Sequence, residues 1–183
     1  MEDLIRQELT AGVPNGWEFL RLTFRLLASM LLGAIVGLER ESTGQPAGVR
    51  TYMLVALASA LFVTVPLELG MPLAEVARIA QGVATGIGFI GAGAILKLSK
   101  DREIQGLTTA AAIWMTAAVG MTVGLGGFGI AALSVTLAWF ILAVIGRITK
   151  YLDLANEKRN PDTRKGNASD PPKKKAADSN KED

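Results

Sequence analysis

The chain is predicted to be an all-α polytopic membrane protein, a transmembrane helical bundle of about five spans with its N-terminus outside and its C-terminus cytoplasmic. Three observations predict this. Half of the 183 residues are apolar. The charges lie mainly in the first quarter, in short loops and in the tail, which is how a bilayer sorts a sequence. The uncharged runs between them have the length a membrane needs, since a hydrocarbon core of about 30 Å takes about 20 helical residues.

The first span runs from about Phe19 to Leu38, with Arg21 and Arg25 near enough to one end to snorkel. The second is Thr51 to Leu67, and the third is Ile79 to Leu96, uncharged until Lys97 and crowded with glycine. From Leu107 to Gly146 the chain has 40 uncharged residues. As one helix this would be about 60 Å long, twice the membrane core, so it must turn back on itself. The glycines between Gly124 and Gly129 mark the turn, giving spans 107–124 and 128–146. Barrel strands would alternate polar and apolar residues, whereas these runs are continuously apolar, so helices are expected.

Orientation follows from the basic residues. Arg40, Arg50, Lys97, Lys100, Arg102 and ten Lys or Arg after span five fall on one side, against Arg6, Arg21, Arg25 and Arg78 on the other. The richer side is expected to be cytoplasmic. Residues 1–18 mix Glu2, Asp3, Glu8 and Glu18 with a single Arg6 and lack the basic start of a signal peptide. Leu4, Ile5 and Leu9 suit one face of a short interfacial helix before the Pro14-Asn15-Gly16 turn, and a frayed terminus is the alternative. The predicted organisation is an N-terminal segment at 1–18, a membrane domain at 19–150 and a disordered, charged cytoplasmic tail at 151–183.

Composition excludes much chemistry. The chain has no histidine and no cysteine, which removes the usual zinc, haem and iron–sulfur ligands, disulfides, and any Cys or Ser–His nucleophile. No nucleophile–base pair is recognisable, so the chain is read as a non-enzyme with no cofactor, its metal binding left open. A net charge of +2 gives no footprint for nucleic acid.

Candidate functional residues are the polar groups next to or inside spans, because a charge in hydrocarbon is costly. Glu39, Arg40 and Glu41 close span one and Arg50 opens span two, placing Glu39 and Arg50 on one face where they are able to pair. The alternative for all of them is a topology anchor with a surface salt bridge. Arg78, Gln81, Thr85, Thr108 and Thr109 are the other candidates, read as a lining for a small polar or cationic ligand near the junction of spans three and four, or as groups bonded to helix carbonyls. In span three, Gly86, Gly88 and Gly91 match a dinucleotide fingerprint by spacing, but no strand precedes them and no βαβ unit surrounds them. Gly82 and Gly86 are four apart, and with Gly88, Gly91 and Gly93 they form a small-residue face for close helix packing, or a locally broken helix at a polar site.

Gly37-Leu38-Glu39-Arg40-Glu41, Ala47-Gly48-Val49-Arg50-Thr51, the stretch from Gly86 to Gly93, and Gly106-Leu107-Thr108-Thr109-Ala110-Ala111 with Trp114 resemble, in order and spacing, the signature of the MgtC/SapB membrane family. The resemblance covers residues 20–146. It implies a bacterial inner-membrane protein associated with growth at low magnesium, survival inside host cells and restraint of the membrane ATP synthase. Some family members add an ACT-like C-terminal domain, for which the sequence here has no counterpart. The first functional expectation is a regulatory protein acting through contacts with partner helices in the lipid bilayer, with homo-oligomers expected. The second is a small magnesium or other cation transporter or channel.

Overall fold

A computed structural model describes residues 16–97 and 104–148. Five helices are long and apolar enough to cross a membrane. They are α1 (Gly16–Ser42), α2 (Val49–Glu68), α3 (Leu73–Gly93), α4 (Leu107–Gly124) and α5 (Phe128–Phe140), the last continued by a π-helical turn at Ile141–Ile145. A two-residue antiparallel ladder, β1 (Leu96–Lys97) with β2 (Ile104–Gln105), is the departure from helix among the described residues. Residues 1–15 and 149–183, including most of the expected interfacial segment and the whole tail, lie outside the described residues.

Three helices end by the same device. Gly44, Gly70 and Gly126 each adopt a positive φ after the last turn. The amides of Gln45, Met71 and Gly127 return to the carbonyls of Arg40, Pro66 and Thr122. This double closure satisfies carbonyls that would otherwise be orphaned, and Pro46 and Pro72 then prevent the helix from resuming. At the start of α2, Glu41 supplies the cap from the preceding helix: its Oε2 accepts the Val49 amide at 2.9 Å. A carboxylate there also suits the positive end of the helix dipole.

Helix limits differ from the expected spans where a charge suggests a boundary. The third helix starts at Leu73 and not Ile79, because Pro72 begins it and Glu75 and Arg78 pair on its surface at 3.0 Å. It stops at Gly93 because the chain turns into the ladder. Gly16, Trp17 and Glu18 already belong to α1.

The packing is inside-out relative to a water-soluble protein. The buried set is mostly Ala, Val, Gly, Ser and Thr, while Phe24, Leu31, Leu54, Phe62, Phe89, Ile130 and Leu133 face outward. Small residues inside allow backbones to approach, and large apolar residues outside meet lipid. Helix α2 is the centre of the compact unit that ends at Val144. It packs most extensively against α1 and then α4. Tyr52, Val55, Ala56, Ser59, Ala60, Val63 and Thr64 recur at three- and four-residue steps along it, and all are buried.

Glycines on the neighbouring helices make this possible. A Cβ at Gly33 or Gly37 of α1 would meet Tyr52, Ala56 or Val49 of α2, and one at Gly120 or Gly124 of α4 would meet Ala56, Ala60 or Val63. Both pairs are four residues apart, the spacing that lays two helix backbones together. Helix α3 stands apart from this arrangement. It leans on α4 through Gly91 against Ala110 and through the Trp114 indole, which donates to the Ala84 carbonyl at 3.3 Å.

Candidate polar sites at the two ends of the bundle

The charged side chains buried in the bundle lie at its two ends, while Ser29, Ser59 and Thr116 are buried midway along their helices. At the α1–α2 loop end, Glu39, Arg40 and Tyr52 are 8%, 5% and 0% exposed. Arg40 Nη1 lies 3.6 Å from Glu39 Oε2, a charge contact too long for a hydrogen bond. Among the described residues, both Glu39 oxygens, Arg40 Nε and the Tyr52 hydroxyl find no partner in hydrogen-bonding geometry. The Arg40 guanidinium stands close enough to that hydroxyl to act on it by charge and by a strained hydrogen-bond approach, and the Glu39 charge reaches it too. The loop folds back over this cluster. Thr43 Oγ1 donates to the carbonyls of Glu39 and Arg40 at 3.0 and 3.1 Å, and the Gln45 amide donates to the Arg40 carbonyl. Thr109, fully buried at the start of α4, donates from Oγ1 to Gln45 Oε1 at 3.0 Å and fastens the loop to that helix.

At the other end, Arg25 of α1 is 3% exposed and pairs with Glu68 of α2 at 3.3 Å. A Cβ at Gly126 in the α4–α5 turn would lie 3.4 Å from Arg25 Nη2. Nearby, Thr64 Oγ1 donates to the Gly124 carbonyl at 3.1 Å. The two ends thus carry different links: Gln45 to Thr109 joins the α1–α2 loop to the start of α4, and Arg25 joins α1 to the end of α2. The first connection shares a face with the ladder and the second shares one with the α4–α5 turn, as alternating spans require.

Several sequence expectations need correction. Glu39 does not pair with Arg50: Arg50 is exposed, and the charge facing Glu39 is Arg40. Arg25 does not snorkel to water but is buried on Glu68. The expected lining of Gln81, Thr85, Thr108 and Thr109 does not assemble. Helices α3 and α4 run antiparallel, so Gln81, twelve residues before Gly93, sits about 18 Å along the axis from the end where α4 begins. Gln81 and Thr85 are exposed, Thr85 bonding the Gln81 carbonyl at 2.9 Å. Thr108 is exposed, and Arg78 is held by Glu75 on the surface. Of the span-three glycines only Gly91 meets a neighbouring helix. A Cβ at Gly82, Gly86, Gly88 or Gly93 would meet nothing within 4 Å among the described residues.

Sequence reasoning missed Gln45, Tyr52, Glu68 and the Gly33/Gly37 and Gly120/Gly124 pairs. The glycine pairs have the same four-residue spacing that singles out span three. Arg25 and Glu68 are opposite charges on the same predicted side of the membrane. Tyr52 gives no such signal, because a tyrosine one turn inside a span is ordinary at an interface.

Five apolar crossings with buried charges held at the two ends define a multi-pass helical membrane protein. The model of the MgtC family matches residues 26–151, and the chain belongs to that family. Protein SrpB of Synechococcus elongatus is 48% identical over 125 residues, which are 62% of this chain and 68% of SrpB. YhiD of Escherichia coli K12, whose name provisionally includes magnesium transporter, is 41% identical over 131 residues, 68% of this chain and 60% of YhiD. Protein MgtC of Salmonella typhimurium LT2 is 42% identical over 103 residues, 56% of this chain and 43% of MgtC. The matched stretch is therefore less than half of MgtC. No solved structure matches the chain.

Proposed function

We propose that this chain is a non-enzymatic regulatory protein of the bacterial inner membrane, its C-terminus cytoplasmic, that acts by helix–helix contact through α3. The observation that carries the proposal is the open glycine face. Gly82, Gly86 and Gly93 have no neighbour among the described residues, whereas the glycine pairs of α1 and α4 are filled by α2. A helix surface without side chains lets another backbone come closer than lipid tails pack, so a second transmembrane helix fits it well. The occupant in this reading is a second copy of the chain or another membrane protein, the ATP synthase among them, in adaptation to low magnesium or in virulence.

The chain has no cysteine, so one introduced at Phe89, 85% exposed and in line with Gly82 and Gly86 on the helix, gives a unique cross-linking site. Oxidation in native membranes is expected to yield a discrete cross-linked product, and Gly86→Leu is expected to abolish it while leaving helical content unchanged. A product that survives Gly86→Leu overturns the proposal.

The alternative reading, a magnesium or other cation transporter, is favoured by the buried Glu39 carboxylate and by the name of YhiD. Among the described residues no three or more acidic groups come together. Magnesium entry into liposomes holding the pure protein, lost in Glu39→Gln, would replace the regulatory reading.

A further inference from the structure

Glu39, Arg40 and Tyr52 present four buried polar atoms that reach no hydrogen bond of good geometry among the described residues, although Arg40 approaches both Glu39 and the Tyr52 hydroxyl. The two Glu39 oxygens accept, Arg40 Nε donates, and the Tyr52 hydroxyl does both. Their residues are all more than nine-tenths buried. Buried polar atoms in folded proteins are nearly always satisfied, by protein or by ordered water. Arg40 Nη1 comes within 3.6 Å of Glu39 Oε2, a charge contact that still leaves Arg40 Nε and both Glu39 oxygens outside hydrogen-bonding geometry.

The charges narrow what fits between them. A cation would stand beside the Arg40 guanidinium with a single carboxylate to hold it, and an anion would stand beside Glu39. A neutral molecule that both donates and accepts answers all four atoms, and water is the smallest such molecule.

We propose that Glu39, Arg40 and Tyr52 enclose an internal hydration site one turn below the α1–α2 loop, closed by the hydrogen bond from Thr109 to Gln45. Water bound there donates to the Glu39 oxygens and accepts from Arg40 Nε or the Tyr52 hydroxyl. The loop folds over the backbone of Glu39 and Arg40, and its one side-chain tie to α4 in the described region is Gln45 to Thr109. Exchange with outside water therefore requires that tie to open. The inference does not depend on α3 or on the regulatory reading, and the two stand or fall on different residues.

Radiolytic hydroxyl-radical labelling of the full chain in lipid nanodiscs tests it, because X-ray pulses make radicals from internal as well as bulk water. Tyr52 is expected to be labelled although it is 0% exposed. Labelling at background in the unsubstituted protein overturns the proposal, and that result needs no variant to fold. In a second arm, samples are mixed with ¹⁸O-water before the pulse. The heavy label is expected to reach Tyr52 more slowly than it reaches exposed side chains. Thr109→Val is expected to speed that arrival about fivefold, the effect of removing one hydrogen bond from the closed form. Arrival at Tyr52 within the mixing time, or at a rate unchanged by Thr109→Val, overturns the closed site.

Discussion

Helices α2 and α3 are joined by four residues and both are apolar enough to cross a membrane, yet they are built on opposite plans. Helix α2 contains no glycine and is buried along a continuous stripe, because α1 and α4 bring glycines to it. Helix α3 carries its own glycines and keeps most of them uncovered; only Val76, Ile87 and Gly91 are buried. A glycine in a membrane helix thus reports a close contact only when another helix lies against it. Ala56 and Ala60 of α2 do so for Gly120 and Gly124, and nothing among the described residues does so for Gly82 or Gly86.

The largest effect is expected where the central helix is locked by charge. Glu68→Gln would leave the Arg25 guanidinium, 3% exposed, without its carboxylate. Stranding one member of a buried pair costs about 3 kcal/mol or more. The thermal midpoint of the purified variant in detergent should fall well below that of the parent; an unchanged midpoint would mean that Arg25 has found water.

Next comes a matched pair of glycine substitutions that sets the two helices against each other. Gly120→Ala drives a methyl into the Ala56 backbone, and overpacking of this kind costs about 1 to 3 kcal/mol. Gly86→Ala meets no described residue and removes the flexibility of glycine, which favours the helix by about 1 kcal/mol. In the single chain, free of any partner on α3, midpoints should therefore move in opposite directions. If both fall together, α3 is packed against something that a single chain does not supply, and its partner survives purification.

The smallest contrast lies in two threonines. Thr109→Val removes the bond to Gln45 and should cost about 1 kcal/mol. Thr85→Val removes only a bond to the carbonyl of its own helix one turn back and should be close to neutral, within about 0.5 kcal/mol. Equal effects on unfolding in detergent would erase the distinction between the loop tie and the exposed face of α3.

The five crossings were legible because hydrocarbon tolerates few charges, and the turn at Gly126 was legible because 40 uncharged residues exceed one membrane width. Helix ends were less so. Arg78 and Glu75 resemble a boundary, but a pair of opposite charges on a surface is tolerated within a helix, and Pro72 sets the start. The polar site was half legible. Glu39, Arg40 and Thr109 stand out as polar groups beside spans, whereas Tyr52 and Gln45 acquire their roles only when α2 and the loop fold against α1 and α4. Arg50, one residue after Val49, points to solvent because the helix carries it round by about 100° per residue. No pattern in one sequence states which way that turn begins.

The wide turn at Ile141–Ile145 has a consequence for how α5 keeps phase. Its inward residues begin as Ala131 and Val135, and the four-residue step would next bring Trp139 and then Ala143 inward. Trp139 is 44% exposed, yet Ala143 is buried. A π turn accommodates one more residue than an α turn, so the helix can hold an additional amino acid without rotating everything before it. Length and facing are thereby uncoupled in this crossing, and a one-residue deletion in 141–145, which would restore an ordinary α turn, becomes a local event.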